Sequence, residues 1–314
     1  LGATNIMTTG HEYDDAFVVW DWTRVPGTTA VANQSTADLR WYLFGSNQFG
    51  GGVSNAHNGV MAYEHAYQGV EARKAYFFMG DAMVCMGSGI KAARTQEVRT
   101  SVNQCLANGE VTYGLSGHTY RLTNNLSDKN IDWAYHDNVG YIFPQNESVT
   151  LRKAKQTGAW RELEVTASDK PVTKEIFSLW VSHGTTPQHE DYCYIIMPDK
   201  PLSYFTDKKF ENEIKIIVNS EQIQAISNEN KRQYAAVFYE PGEIRFAEDL
   251  VVAVNKKVII YIEKKDKQYE IAVADPLYKE QSLQLSMNGE QINIVFPSGD
   301  YSGSSVIKHI TEKH

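Results

Sequence analysis

Between Gly10 and Thr29 the sequence GHEYDDAFVVWDWTRVPGTT gathers acids, a histidine, a base and two tryptophans around a Pro-Gly turn. His11, Glu12, Asp14, Asp15 and Arg24 supply charge and hydrogen-bonding groups. Trp20 and Trp22 are two positions apart, so on an extended strand they project from one face. Such a set can grip a polar ligand. Aromatic rings take the C–H faces of sugars, carboxylates accept from hydroxyls, and a guanidinium binds a carboxylate or sulfate through two parallel bonds. The same residues also read as a half-buried strand, Phe17 to Trp22, entering a Val-Pro-Gly-Thr turn with ordinary surface charges. On residue types alone the two readings weigh equally.

The elements that must position these groups are strands. β-prone runs recur at Ala16 to Trp22, Val60 to Tyr67, Lys74 to Met79, Ala82 to Met86, Val98 to Gln104, Asp132 to Tyr135, Asn138 to Phe143, Ser148 to Arg152, Lys174 to His183 and Tyr192 to Met197. Turn signals separate them at Gly50-Gly51-Gly52, Ser88-Gly89, Asn108-Gly109, Ser116-Gly117 and Thr185-Thr186-Pro187. Helical periodicity is confined to Thr36 to Tyr42 and Leu202 to Asn212. Around Pro198 to Asn212 the aromatic-rich strands give way to Ile/Val/Lys/Glu segments with strict turn punctuation, including Pro241-Gly242 and Asn288-Gly289. The expectation is an all-β chain, with a large antiparallel β-sandwich over residues 1–205 and a smaller C-terminal β-sandwich over 206–314. The Lys-rich stretch Lys256 to Lys267 reads as a solvated hairpin, since Glu263 and Asp266 interrupt it.

Composition narrows the function classes. At 314 residues the chain is long enough to bury a sizeable core, and 18 Tyr, 12 Phe and 6 Trp suit stacked sheets and sugar-binding surfaces. A net charge of -8 with no Lys/Arg block argues against nucleic acid, while a local cationic site would still hold a polyanionic glycan. No segment approaches the length of a membrane-spanning helix. Cys85, Cys105 and Cys193 are too few and scattered for a disulfide scaffold or zinc site, although a Cys85–Cys105 bridge stays open in an oxidising compartment. Ser46 to Phe49 and Asn55 to Asn58 contain no carboxylate, so calcium is not expected there. His57 and His65 are two lone histidines in β context and make no transition-metal site. No metal or other cofactor is expected.

Several separated stretches resemble polysaccharide lyase family 8, which holds hyaluronate, chondroitin AC and xanthan lyases. The family opens its β-region with an E-Y acidic pair followed by W-x-W/K-x-x-P-G-T-T, matched here by Glu12, Tyr13, Trp20, Trp22, Arg24 and Pro26 to Thr29. FGGGVSN at Phe49 to Asn55, ARKAYFF at Ala72 to Phe78 and VCMGSGI at Val84 to Ile90 follow in the family's order. His136, Val139-Gly140-Tyr141, Gly158-Ala159-Trp160, His183-Gly184, Pro187 to Tyr194 and Ala274-Asp275-Pro276 continue that order.

The resemblance implies the family's central β-supersandwich and C-terminal β-sandwich, and a secreted or periplasmic lyase acting on an acidic polysaccharide, chondroitin or hyaluronan ahead of xanthan. β-Elimination needs the uronate carboxylate neutralised, its α-proton removed and the departing oxygen protonated. In the family, Asn, His, Tyr and Arg do this from an N-terminal α-helical toroid, which this sequence lacks; the toroid is the implied partner, and the chain by itself is expected to be inactive. The β-region would then line the opposite wall of the cleft. By the resemblance, Glu12 supports the catalytic groups and Asp15 is carried over more weakly. Trp20, Trp22 and Arg24 are candidates for glycan contact. The alternative is a non-catalytic carbohydrate-binding β-sandwich protein.

Overall fold

The computed structural model describes residues 2–32, 47–93, 95–145 and 147–312. The first half of the chain forms β1 (Thr29–Val31), β2 (Gly50–Ser54), β3 (Gly59–Tyr67), β4 (Val70–Met79), β5 (Ala82–Ala92), β6 (Glu97–Leu106), β7 (Thr112–Leu115) and β8 (His118–Arg121). There follow β9 (Leu126–Asp128), β10 (Ile131–His136), β11 (Val139–Ile142), β12 (Ser148–Gly158), β13 (Val172–Thr185), β14 (Glu190–Pro198) and one short helix, α1 (Leu202–Thr206). The remainder forms β15 (Lys215–Asn219), β16 (Ile223–Asn228), β17 (Gln233–Phe238), β18 (Gly242–Ala247) and β19 (Leu250–Val254), then β20 (Val258–Lys265), β21 (Gln268–Ala274), β22 (Ser282–Met287), β23 (Glu290–Val295) and β24 (Val306–Thr311). The architecture is all-β and antiparallel, a supersandwich followed by a C-terminal sandwich.

Two compact units divide the chain. The first takes residues 1–45, 67–70 and 91–209, the second 46–66, 71–90 and 210–314. Each unit therefore draws on more than one stretch of sequence.

In the first unit a five-stranded sheet, β1-β6-β13-β12-β9, lies against the run β14-β11-β10-β7-β8. Alternation along β13 sends Phe177, Leu179 and Val181 to the inner face, where Phe177 stacks on His136 of β10 with ring centroids 4.4 Å apart. Ser178, Trp180 and Ser182 alternate with them and so occupy the opposite face. That outer face carries the N-terminal segment.

The second unit contains the run β2-β3-β4-β5, a six-stranded sheet β15-β16-β17-β20-β21-β24 and a four-stranded sheet β18-β19-β22-β23. Phe238, Ile260, Ile262 and Ile271 from the six-stranded sheet pack with Val252, Leu283 and Leu285 from the four-stranded one, all of them buried. The Asn288-Gly289 turn joins β22 to β23 with φ of 51° and 84°, the geometry a two-residue hairpin requires. In the Lys256 to Lys267 stretch, β20 and β21 form the expected hairpin, and Lys264 Nζ reaches Asp249 and Glu312 at 3.2 and 2.9 Å.

Three expectations are corrected. Phe17 to Trp22 is not a strand; the segment forms two 3-10 turns, Phe17–Val19 and Trp22–Arg24. Side chains replace a strand partner there. Gln156 Nε2 donates to Val19 O (2.7 Å), Gln104 Nε2 donates to Asp21 O and Arg24 O (3.0 Å each), and Asp21 accepts from Thr23 N (3.0 Å). Gly50-Gly51-Gly52 is not a turn but the start of β2, paired with Tyr63, Ala62 and Met61. A Cβ at Gly51 would sit 3.4 Å from Pro276 Cα, so glycine here serves close backbone approach. Leu202 to Asn212 yields only the five-residue α1. The Cys85–Cys105 bridge that the sequence left open is not formed: all three cysteines are free and buried. The helix expected at Thr36 to Tyr42 lies outside the described residues.

Candidate functional site

The N-terminal segment is fixed from both ends. Glu12 is buried, and its carboxylate is filled by its own loop: Oε1 accepts from Thr8 N (2.7 Å), Thr8 Oγ1 (2.9 Å), Thr9 N (2.6 Å) and Thr9 Oγ1 (3.1 Å), and Oε2 from Gly10 N (3.0 Å). Burial alone would raise its pKa; the donors, led by the Thr9 N–H, outweigh burial and bring the carboxyl down to about 2. The Glu12 carbonyl accepts from Leu106 N (2.9 Å) at the end of β6. Next to it, Tyr13 OH donates to Asn103 Oδ1 (3.0 Å), and Asn103 Nδ2 donates to Tyr141 OH (2.6 Å). Burial pushes both phenols above their ordinary range. These groups stay in one protonation state near neutral pH and serve as a frame.

What the frame presents to solvent is a short polar edge. His11 Nδ1 pairs with Asp14 Oδ2 at 2.8 Å, and both side chains are exposed. Asp15 follows in left-handed geometry (φ 53°), exposed, with Lys174 Nζ at 4.0 Å. An exposed pair at that distance leaves the carboxylate available to another partner.

The two tryptophans do meet, though not as side chains of one strand. Trp20 is buried, edge-on to Phe17 (4.7 Å), Trp22 (5.6 Å) and Tyr13 (5.9 Å), with no partner for Nε1–H. It is core. Trp22 is half-buried and lines an apolar cleft of about 130 Å³ with Val25, Thr28, Tyr67 and Gln68, all within the first unit. An aromatic wall beside an amide and a hydroxyl suits a sugar ring better than a charged ligand.

Arg24 is buried instead of open to ligand. Its Nε donates to Asp21 Oδ2 at 2.7 Å, and its guanidinium lies 4.8 Å from the centroid of the Trp180 ring. Burial lowers its pKa against the opposing pull of Asp21, which is itself held below the usual carboxylate range by the nearby guanidinium. The structure thus brings Trp20 and Trp22 together, turns the Glu12 carboxylate into its own loop, leaves Asp15 at the edge, and turns Arg24 to the sheet.

Sequence reading missed Asn103, Gln104 and Trp180, on which the segment rests. The signal was the polar pair Asn103-Gln104 inside β6, both fully inside the protein and both hydrogen-bonded. Among the described residues no three His, Cys, Asp or Glu side chains converge as a metal site, and no helix is long and apolar enough to cross a membrane.

An all-β supersandwich with its polar segment laid over one outer sheet face defines the class of protein. Residues 1–209 match the model of the polysaccharide lyase family 8 super-sandwich domain, and residues 215–284 that of the family's C-terminal beta-sandwich domain. The chain belongs to polysaccharide lyase family 8. It is 32% identical to a chondroitinase-AC of Pedobacter heparinus over 97% of this chain and 45% of that protein. A hyaluronate lyase of Staphylococcus aureus is 26% identical over 85% of the chain and 33% of its own length. A solved chondroitinase AC lyase superposes with a TM-score of 0.91 at 30% identity, covering 98% of this chain and 46% of that one. The chain spans less than half the length of these relatives.

Proposed function

We propose that this chain is the β-portion of a polysaccharide lyase that cleaves uronic-acid-containing glycans of the chondroitin or hyaluronan type by β-elimination. One observation carries the reading: likeness to chondroitinase AC extends over nearly the whole chain in both sequence and fold. The catalytic Asn, His, Tyr and Arg lie in an N-terminal α-domain of the same protein, and the chain supplies one wall of the cleft. The enzyme is secreted or periplasmic, where its substrates are found. A division near residue 205/206 separates the supersandwich from the C-terminal sandwich.

On this wall Glu12 is a positioning residue. Its five accepted hydrogen bonds set the loop that holds His11, Asp14 and Asp15 outward. Asp15 accepts from glycan hydroxyls, Trp22 offers its face to a sugar ring, and Trp20 and Arg24 fix the segment from beneath.

Incubation with chondroitin or hyaluronan tests the reading through the ultraviolet absorbance of unsaturated uronate. The expected result is no absorbance from the 314-residue chain alone and a steady rise from the complete protein that carries it. Absorbance from the chain alone would overturn the division of labour. Glycan binding with no elimination by the complete protein would make it a carbohydrate-binding protein instead.

A further inference from the structure

Trp180 stands at the centre of a cationic patch on the outer face of the five-stranded sheet. The guanidinium of Arg24 lies 4.8 Å from its ring centroid and that of Arg99 lies 5.1 Å from it. Arg152 reaches the same face: Thr150 is directly opposite Trp180 on β12, and Arg152 is two residues further along, opposite Ser178. Three guanidiniums therefore share one small area.

Their partners do not balance. Arg24 pairs with Asp21 at 2.7 Å, and Arg99 with Glu97 at 2.6 Å. Glu97 also accepts from Ser182 Oγ on the same face. The Arg152 side chain makes no hydrogen bond or ion pair among the described residues, and its Nε–H is shielded from solvent without an acceptor. Its cross-strand neighbour Ser178 is 1% exposed, and Ser178 Oγ is likewise without a partner. A buried guanidinium N–H beside a buried hydroxyl, each unsatisfied, costs stability unless an acceptor fills the gap. Gln104, opposite Ser178 on β6, is spent on the Asp21 and Arg24 backbone and does not fill it.

We infer that Arg152 and Ser178, beside the ion-paired Arg24 and Arg99, form a binding site for a sulfate or carboxylate oxyanion. The Arg152 side chain is only half-buried, so its fork is within reach from solvent while its Nε and the Ser178 hydroxyl supply the inner contacts. Trp180 is not a sugar platform here, because Arg24 and Arg99 already lie against its ring; it holds the two cations apart from water. The site takes the anion alone or as a substituent of an acidic glycan. It does not depend on the lyase reading, since it needs no catalytic group.

Titration calorimetry of the 314-residue chain with sodium sulfate and with sodium acetate, at constant ionic strength, tests the assignment. Saturable binding of at least one anion is expected, weakened about ten-fold or more in Arg152→Gln and several-fold in Ser178→Ala, and unchanged in Arg121→Gln, whose arginine is exposed and paired with Glu110. Should Arg152→Gln fail to fold, the side-chain Nε–H resonance of Arg152 in the unaltered protein gives the same answer by shifting on titration. A sulfated chondroitin disaccharide that binds more tightly than free sulfate assigns the anion to a glycan; equal affinity assigns it to the free ion. Absence of saturable binding, an unmoved Arg152 resonance, or equal affinity in Arg152→Gln overturns the proposal.

Discussion

The N-terminal segment 8–24 and the C-terminal sandwich are held by opposite means. The sandwich is stabilised by apolar side chains from two facing sheets, with Phe238, Ile260, Val252 and Leu285 fully buried and no polar partner required. The segment has little regular structure. It is fixed by satisfied polar groups: five donors on Glu12, two glutamine amides on its backbone, and Asp21 with Arg24 against Trp180. Burial of hydrocarbon tolerates substitution by similar volumes and is blind to proton concentration, whereas a capped carboxylate is neither. A loop held this way keeps one shape while exposing a polar edge, which is what a ligand-facing wall needs.

That contrast breaks most visibly in the sandwich. Phe238→Ala is expected to cost about 3–5 kcal/mol by urea unfolding, through lost burial and a residual cavity, with the same penalty at mildly acidic and neutral pH. A penalty that varied with pH would show that its surroundings are not purely apolar.

Glu12→Ala comes next, with a loss of about 2–3 kcal/mol at neutral pH and the remaining donors left without an acceptor. Its sign against pH is fixed by the depressed pKa. Stabilisation by Glu12 is complete above the ordinary value of 4.5 and is lost as pH falls toward about 2, so wild type and variant converge in acid. Parallel unfolding curves down to strong acid would contradict the capping role.

Lys74 sharpens the comparison from within the second unit. It lies in the middle of β4, fully buried, 5.9 Å from the centroid of the Tyr76 ring, and burial brings its pKa down to about 7. Between that value and 10.5 the unfolded chain binds the proton more readily, so the wild type gains stability as pH rises across this window. Lys74→Met is expected to flatten that rise and to add about 1–2 kcal/mol at neutral pH. An unchanged pH slope in the variant would assign the titration elsewhere.

Asp15→Ala is the smallest in stability, under about 0.5 kcal/mol for an exposed side chain beside Lys174. Its effect belongs in glycan affinity, read as a several-fold rise in Kd by calorimetry. Loss of stability without loss of affinity would make Asp15 a structural residue.

The same contrast explains what the sequence made legible. Alternation and turn pairs located most strands of both sandwiches, because burial on one face writes a period of two into residues such as Leu250, Val252 and Val254. It also misread Phe17 to Trp22, whose apolar run resembles a strand but buries against a sheet through side-chain amides supplied from Gln104 and Gln156, over eighty residues away. Glycines 50 to 52 looked like a turn because the close approach of Pro276 is not local information. At the site, the residue types of Glu12, Trp22 and Arg24 were visible, but not that Glu12 turns inward on its own loop or that Arg24 is spent on Asp21 and Trp180. The unpaired Arg152 had no signature at all, since a half-buried arginine on a strand looks like any other until its neighbours are placed.

The most direct test is amide hydrogen exchange of the chain with and without a chondroitin oligosaccharide. The account predicts added protection centred on the N-terminal segment around residues 8–24, with the amides of β16, β17 and β20 in the sandwich unchanged. Protection appearing in the sandwich instead, or nowhere, would contradict the assignment of the segment as the glycan-facing wall.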